Sequence, residues 1–287
     1  MNLNLIRKES PKPQDHLTVH EKNGLYWLSA PLLENEDKLL HGFSTRLGGV
    51  STGDTGTMNL GFAREENKEN VRENYRRIAD AVGFDPNRLV MTHQTHTKNV
   101  RIVKEEDAGS GFAKERPYRD VDGLVTNIPG ITLVCFSADC VPVLVWDKTH
   151  CAVGCAHSGW RGTVSDIAGE VIRIMGQEYG TKPEDVKAAI GPSICQSCYE
   201  VSEDVIEVFA QTYEHALHEK LFYKKENGKY QLDLWEAVRQ NLLRAGLQEE
   251  NISLPDLCTH CNPSFLFSHR TLHGRQGNLG AFIGICR

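Results

Sequence analysis

Residues 131–147 have the sequence ITLVCFSADCVPVLVWD, in which two apolar runs meet at the polar junction Ser137-Ala138-Asp139-Cys140. Short runs rich in Val, Leu and Ile predict buried β-strands. The junction therefore places the thiol of Cys140 where two core strands meet. Catalytic groups are often carried by such connections.

The pattern continues on both sides of this segment. Residues 151–157, CAVGCAH, predict another buried strand, which ends at His157 and is followed by the Gly-rich turn SGWRG and a long helix. On the N-terminal side, HQTH carries His96 between two short strands predicted within residues 89–103. This arrangement predicts a single α+β domain with mixed β-sheets flanked by helices.

The remaining segments complete this outline. Residues 1–16 are polar and predict a loose N-terminal arm, so the domain is expected to span residues 17–287. Residues 45–61, TRLGGVSTGDTGTMNLG, predict a long loop. The other predicted elements are strands at 25–28, 39–44 and 186–192 and helices at 66–82, 203–213 and 232–245.

The composition excludes several classes of function. The chain has 287 residues, a net charge of -6 and no block of Lys or Arg, which argues against a nucleic-acid partner. Its first residues contain no apolar core of the length that a signal peptide needs, and no apolar run is long enough to span a membrane. We therefore expect a cytoplasmic protein, either a monomer or a homodimer. The nine cysteines are then expected to be thiols, metal ligands or redox groups rather than disulfides.

One candidate metal site combines His96, Cys140 and His157. Two imidazoles and one thiolate leave a tetrahedral zinc ion with one open position, which is typical of catalytic zinc. His93 competes with His96 as the first ligand, and their spacing does not decide between the two.

A second candidate metal site is formed by two CxxC pairs, Cys195/Cys198 and Cys258/Cys261. Two such pairs are typical of a structural zinc held by four thiolates, and a single pair can also serve redox chemistry. The gap between the pairs is long for a zinc ribbon. The sequence therefore leaves their role open.

The motifs taken together resemble the laccase-domain family, formerly described as multicopper polyphenol oxidases and now as multifunctional purine nucleoside enzymes. The segments that carry the resemblance span most of the chain: FSTRLGGVSTG, MNLG, Gln94-x-His96, DVDGLVTN, SADCVPVL, AHSGWRGT, AIGPSICQSCYEV and FSHR. Two positions depart from the family pattern, Thr97 and Thr271.

The resemblance implies a laccase-domain, or cysteine-hydrolase-like, fold with His96, Cys140 and His157 as metal ligands. It also implies phosphorolysis of adenosine, inosine, guanosine and 5'-methylthioadenosine, together with deamination of adenosine. The substrates would then be purine nucleosides and phosphate.

The residues suit zinc better than a multicopper centre. Multicopper oxidation needs many histidines, often as His-x-His pairs, and the chain has none of these pairs. Copper could still occupy a site of two His and one Cys. Zinc suits hydrolytic deamination, because it activates water near neutral pH. Asp139, next to Cys140, is a candidate proton donor to the leaving ammonia.

Phosphate binding is expected from arginine side chains, whose planar forks match phosphate oxygens. Arg46 is the first candidate, because its Gly-rich loop also offers backbone amides. Arg161, Arg270 and Arg275 lie in other polar or Gly-rich loops, and Asn59 is a further candidate contact for the substrate.

Three alternatives remain open from the sequence. Cys140 could be the nucleophile of a metal-free thiol hydrolase, with His157 as its base. A copper-dependent polyphenol oxidase would agree with the older family description. A non-enzymatic binding or redox module would use the CxxC pairs.

Overall fold

The computed structural model describes residues 3–10 and 12–286 of the chain. The described residues form fifteen strands, numbered in chain order: β1 Thr18–Lys22, β2 Leu25–Ser29, β3 Leu39–Ser44, β4 Leu89–Met91, β5 Val100–Ile102, β6 Gly123–Thr126, β7 Thr132–Ser137, β8 Val141–Asp147, β9 Ala152–Ser158, β10 Val186–Ile190, β11 Glu200–Val201, β12 Phe222–Lys224, β13 Tyr230–Leu232, β14 Ile252–Ser253 and β15 Leu279–Ile285.

The α-helices of the described residues follow the same numbering: α1 Pro31–Glu34, α2 Lys68–Val82, α3 Trp160–Val164, α4 Ile167–Tyr179, α5 Glu203–Thr212, α6 His218–Leu221, α7 Leu234–Arg244 and α8 His269–Leu272. Helix α2 buries Val71, Tyr75 and Ile78 on one face, as their spacing predicts. It ends at Gly83, whose φ of 99° is a left-handed cap that favours glycine.

The strands form two six-stranded mixed sheets and one small sheet. The first has the order β1-β2-β3-β15-β7-β4, and the second has the order β14-β10-β8-β9-β6-β5. Strands β11, β13 and β12 form the small sheet. Because β7 belongs to the first large sheet and β8 to the second, the Ser137–Cys140 junction connects the two large sheets.

The two large sheets pack face to face, with helices on their outer faces. Alternate residues of one strand show this: Leu133 and Cys135 of β7 belong to the core between the sheets, whereas Val134 packs towards α2. In β8, Leu144 faces the first sheet and Val143 faces the helices α4 and α7. The predicted fold class, with mixed sheets flanked by helices, is confirmed.

The structure differs from the predictions in three places. The single long helix after SGWRG is interrupted at Asp166, whose φ is 60° and whose carboxylate accepts a hydrogen bond from the Gly169 amide to begin α4. The small sheet was not predicted, because its strands have only two or three residues. No described helix is long and apolar enough to cross a membrane.

The third difference concerns the predicted loose arm, residues 1–16. Where the structure describes this segment, it is held against the C-terminal part of the chain. Ile6 and the side chain of Asn262 exchange two hydrogen bonds of 2.8 and 2.9 Å, and Arg7 forms an ion pair with the buried carboxylate of Asp256. Composition could not predict this docking, because the partners are about 250 residues away in sequence.

Candidate functional site

Three neighbouring strand ends bring His96, Cys140 and His157 together. His96 lies in the loop that follows β4, Cys140 directly precedes β8, and His157 lies near the end of β9. Their ligand atoms all lie within 4.8 Å of one another, and the two imidazole ring centroids are 4.9 Å apart. We call these three residues the mixed cluster.

Gly159 explains how the three side chains can approach so closely. A Cβ atom at this position would lie 2.8 Å from the His96 ring and 3.2 Å from the Cys140 sulfur. Glycine is therefore the residue that leaves room for the mixed cluster next to the backbone. The first Gly of the SGWRG motif, Gly159, thus has a steric role at the site.

A buried carboxylate, that of Asp122, orients His157. The Oδ1 atom of Asp122 lies 2.9 Å from His157 Nδ1 and accepts a hydrogen bond from the N–H group of that nitrogen. Because Nδ1 is bonded to Asp122, Nε2 is the nitrogen of His157 that is left to bind a metal ion, which it would do after losing its own proton. Carboxylates in this position commonly fix the tautomer of metal-binding histidines.

The same carboxylate also holds the loop of His96. Its oxygens accept hydrogen bonds from the backbone amides of Thr95, His96 and Thr97 and from the Thr97 hydroxyl, at 3.0 to 3.1 Å. Thr97, which departs from the family pattern, adds the hydroxyl bond. The loop needs this support because His96 has a φ of 64°, a left-handed conformation that is uncommon for histidine.

Asp122 was not predicted as a site residue. One signal for it is present in the sequence, the segment DVDGLVTN, in which an acidic residue directly precedes strand β6. That segment contributed to the family resemblance, but nothing in its spacing links it to the three predicted ligands. The link depends on β6 pairing with β9, which brings Asp122 next to His157.

The electrostatics of the cluster favour a thiolate at Cys140. Burial alone would raise the pKa of this thiol, but the charge of His157 and the hydrogen bonds to both imidazoles lower the pKa to about 6. Burial would lower the pKa of His157, yet Cys140 and Asp122 raise it to about 10. Burial also disfavours the Asp122 carboxylate, but its hydrogen bonds to His157, Thr97 and Thr95 lower its pKa to about 2.

The donor set of the mixed cluster fits a metal ion. Imidazole and thiolate are the side chains that bind zinc and copper most readily. The distances between their ligand atoms are compatible with one shared ion. His96 is exposed and Cys140 is half-buried, so the cluster faces open space on one side.

The structure distinguishes His96 from its competitor His93. His93 pairs with Val121 across an isolated bridge, and its Nδ1 accepts a hydrogen bond from the Asp120 amide. It lies in the cavity wall rather than in the mixed cluster. Gln94 fixes the segment between them, because its amide group forms two hydrogen bonds with the backbone of Phe136 in β7.

A cavity of about 1100 Å³ lies above the mixed cluster. All three cluster residues line it, together with aromatic and basic side chains: Phe62, Phe112, Tyr118, Phe136, Tyr199, Arg64, Arg72, Lys114, Arg116, Arg119, His269 and Arg270. An apolar pocket with a few convergent polar groups is typical of a small-molecule site. The excess of basic groups makes it suitable for an anion.

Asp139 lines this cavity, but both of its carboxylate oxygens have partners. Oδ1 accepts a hydrogen bond from the Thr259 hydroxyl and Oδ2 accepts one from the Arg270 amide, both at 2.6 Å. Asp139 has a φ of 90°, so the turn before Cys140 is strained and needs these contacts. The structure thus gives this carboxylate a positioning task beside Cys140.

The predicted arginines have different surroundings. Arg270 lines the cavity, with one guanidinium nitrogen donating to the Glu200 carbonyl at 3.0 Å. Arg161 is exposed, stacks on Trp160 and lies outside the cavity wall. Arg275 is exposed and pairs with Asp54 at 3.5 Å.

Arg46 and Asn59 also lie outside the cavity wall. The Arg46 guanidinium donates three hydrogen bonds to the carbonyls of Gly56 and Pro263 and stacks on Phe267. The amide group of Asn59 is buried and bonds to the backbone of Gly61 and Asn278. Both residues hold the 45–61 loop in place, so their polar groups are already used within the fold.

Comparisons with known proteins identify the family of the chain. A family model described as multi-copper polyphenol oxidoreductase laccase matches residues 40–286. The chain is 35% identical to purine nucleoside phosphorylase YlmD of Bacillus subtilis over 253 residues, which cover 88% of this chain and 90% of that protein. It is 36% identical to adenosine deaminase RL5 of an unknown prokaryotic organism over 211 residues, covering 73% and 79% of the two chains.

A solved structure gives the same result for the fold. The crystal structure of YlmD from Geobacillus stearothermophilus matches with a TM-score of 0.85 and 32% identity, covering 99% of this chain and 100% of that chain. The chain therefore belongs to the multi-copper polyphenol oxidoreductase laccase family, the laccase-domain family that its motifs predicted.

Proposed function

We propose that this protein is a zinc-dependent purine nucleoside phosphorylase that also deaminates adenosine. The proposed phosphorolysis substrates are adenosine, inosine, guanosine and 5'-methylthioadenosine. The observation that carries the proposal is the position of the mixed cluster, whose three side chains line a cavity with both aromatic and basic walls. The names of the relatives from Bacillus subtilis and of RL5 support the two activities.

The cavity has the size and chemistry that a nucleoside and phosphate require. A volume of about 1100 Å³ is slightly larger than that of ordinary ligand pockets, about 300–1,000 Å³, which leaves space for two reactants. We propose that the purine packs among Phe62, Phe136 and Tyr199, since planar bases stack on aromatic rings. Arg270 is the proposed phosphate contact, because it lines the same cavity and a guanidinium group can bind phosphate oxygens.

In this proposal His96, Cys140 and His157 hold the zinc ion. When bound, zinc would supply a Lewis acid that polarises substrate oxygen or water. Asp122 keeps the His157 ring in the required orientation and tautomer through its 2.9 Å hydrogen bond. Asp139 precedes Cys140 in the same turn and accepts a hydrogen bond from the backbone amide of Arg270. It therefore fixes the position of the metal ligand Cys140 relative to the phosphate contact Arg270.

Liquid chromatography of adenosine incubated with the purified protein, with and without phosphate, tests the proposal. Adenine is expected only when phosphate is present, and inosine is expected from deamination in either case. The matched inactive control is His157→Ala, which removes one cluster ligand and its bond to Asp122. Absence of both products with the metal-loaded protein would refute the proposed function.

Metal analysis separates zinc from copper, the alternative that the family description suggests. Protein purified without added metal is expected to carry zinc, and oxidation of a diphenol should not depend on the mixed cluster. Copper that is retained through dialysis and required for phosphorolysis would replace zinc in this proposal.

A second candidate function, metal-free thiol hydrolysis, is favoured by one specific arrangement. Asp122, His157 and Cys140 form a chain in which a carboxylate orients an imidazole that contacts a thiol, as in cysteine hydrolases. His96 has no task in such a triad, whereas it completes a metal site. Activity that persists in metal-free protein and is abolished by alkylation of Cys140 would support the thiol mechanism.

We also propose a cytoplasmic location. All nine cysteines are free thiols in the structure. Reducing compartments keep thiols in this state. Labelling of the native protein with a fluorescent tag and cell fractionation would test the location.

A further inference from the structure

The two CxxC pairs, about 60 residues apart in sequence, meet in the fold. The Sγ atoms of Cys195, Cys198, Cys258 and Cys261 all lie within 4.8 Å of one another, and those of Cys198 and Cys261 are 3.5 Å apart. We call these residues the thiol cluster. Cys195 and Cys258 are buried, and the other two are half-buried.

Backbone pairing brings the two segments side by side. Ser193 and Cys258 form an isolated parallel bridge, and the Thr259 amide donates to the Ser193 carbonyl at 3.1 Å. The Cys195 amide donates to the Cys258 sulfur at 3.3 Å. The two segments are therefore held in register by contacts that do not involve a metal.

We propose that the thiol cluster is a structural zinc site, separate from the mixed cluster. Tetrahedral zinc with Zn–S bonds of about 2.3 Å sets its sulfurs about 3.8 Å apart, which falls within the range of separations in this cluster. Four thiolates also fill all positions of a tetrahedral ion, as in structural rather than catalytic zinc sites. The proposal does not depend on the proposed function.

The size of the cluster argues against an iron–sulfur centre. In a cubane cluster, four iron atoms lie between the cysteine sulfurs, so the sulfurs must be further apart than in a site with one ion. Sulfurs within 4.8 Å of one another leave space for a single ion. A mononuclear site with four soft ligands suits zinc or a single iron ion, and elemental analysis for both metals distinguishes the two.

The surroundings are suited to the negative charge of four thiolates around one zinc ion. Lys8 of the N-terminal arm bonds to Ser197, whose hydroxyl lies 3.2 Å from the Cys195 sulfur. The backbone amide of Cys195 also donates a hydrogen bond to the Cys258 sulfur.

A zinc ion in the thiol cluster would link the two CxxC segments and, through the second of them, the N-terminal arm. Both CxxC segments contact the turn that carries Cys140 at the cavity. The first CxxC segment contacts the turn of the mixed cluster, since the Ile194 amide donates to the Asp139 carbonyl at 3.0 Å. The second contacts the same turn through Thr259 and Asp139. Asn262, directly after it, holds the N-terminal arm at Ile6.

Zinc analysis of the purified full chain and three variants tests the proposal. The wild type is expected to carry about two zinc ions per chain, and His157→Ala about one, because it keeps the thiol cluster. Cys198→Ser/Cys261→Ser is also expected to carry about one, with a lower Tm. The matched control Cys286→Ser removes an exposed thiol and should retain about two.

A second measurement keeps the test decisive if the serine variant fails to fold. Cobalt loaded into His157→Ala should give the intense sulfur-to-cobalt charge-transfer absorption of a tetrathiolate site. His157→Ala protein without bound metal, or with a cobalt spectrum lacking this absorption, would overturn the proposal.

Thiol titration identifies the competing state. With zinc removed by chelator under denaturing, non-reducing conditions, all nine thiols of the chain should react. Fewer reactive thiols in freshly purified protein, combined with the absence of the second zinc, would mean that the CxxC pairs are oxidised to disulfides and that the zinc proposal is wrong.

Discussion

The mixed cluster and the thiol cluster use similar side chains for different purposes. The mixed cluster has three ligands of two kinds, includes the exposed imidazole of His96, and faces a cavity. The thiol cluster has four identical ligands, two of which are buried cysteines. The number of ligands and their access to solvent, rather than the presence of cysteine, thus separate a site suited to chemistry from one suited to holding the fold.

The largest expected effect comes from removing a ligand of the mixed cluster. Cys140→Ala should reduce phosphorolysis by about 10³-fold or more, because a metal ion contributes several kcal/mol and each 1.4 kcal/mol is tenfold. The Tm should change little in comparison. Steady-state rates with adenosine and phosphate, measured against Cys286→Ala, check this prediction. A variant with more than a tenth of the wild-type rate would show that the mixed cluster is not the reactive site.

Removing the thiol cluster should have the opposite effect, a large loss of stability with little loss of activity. Cys198→Ser/Cys261→Ser should lower the free energy of unfolding by about 3 kcal/mol, since the binding energy of a structural metal is also folding energy. The folded fraction should keep its rate within a few-fold. Urea unfolding and rates at low temperature measure the two quantities. A variant with the stability of the wild type and a much lower rate would contradict this prediction. The thiol cluster would then serve the reaction rather than the stability of the fold.

Asp122→Asn should affect the mixed cluster alone. Asp122 orients the imidazole of His157, whereas the four ligands of the thiol cluster are cysteines and include no imidazole. Loss of the carboxylate should weaken metal binding by about 10–100-fold, as for other residues that orient a metal-binding histidine. Competition with a chromogenic chelator measures this affinity. Asp120→Asn, in the same segment but bonded to the Thr95 hydroxyl, is the matched control. Activity that recovers at high zinc would separate this effect from unfolding.

The smallest expected effect concerns the basic wall of the cavity. Arg270→Gln should raise the KM for phosphate by about tenfold, because one charge-assisted contact is worth about 1.5 kcal/mol or more. The KM for the nucleoside should stay near the wild-type value. Arg161→Gln, outside the cavity wall, is the control. Equal effects of both variants would indicate general electrostatic attraction rather than a phosphate contact.

Much of the fold follows from local pattern. The strands predicted at 25–28 and 39–44 and the helix predicted at 66–82 are present as β2, β3 and α2, because their apolar spacing matches the faces that they bury. The break in the helix at Asp166 was not predicted, since apolar positions on both sides keep the helical spacing and only the left-handed Asp166 separates them.

The site could be predicted only in part. The family resemblance pointed to His96, Cys140 and His157, and the fold brings them together. Arg46 was chosen for its Gly-rich loop, but its guanidinium is bonded to the carbonyls of that loop and of Pro263. A local sequence shows which groups a loop contains, whereas it does not show which of them the loop uses for its own folding.

The sequence by itself determined the chemistry of the side chains, the secondary structure of the long apolar segments and the membership of the family. The tertiary structure alone decided that Asp122 orients His157, that Arg270 rather than Arg46 lines the cavity, and that two distant CxxC pairs form one cluster. The physical reason is that these contacts depend on strand pairing across the two sheets and on packing between segments far apart in the chain, which no local pattern of residues specifies.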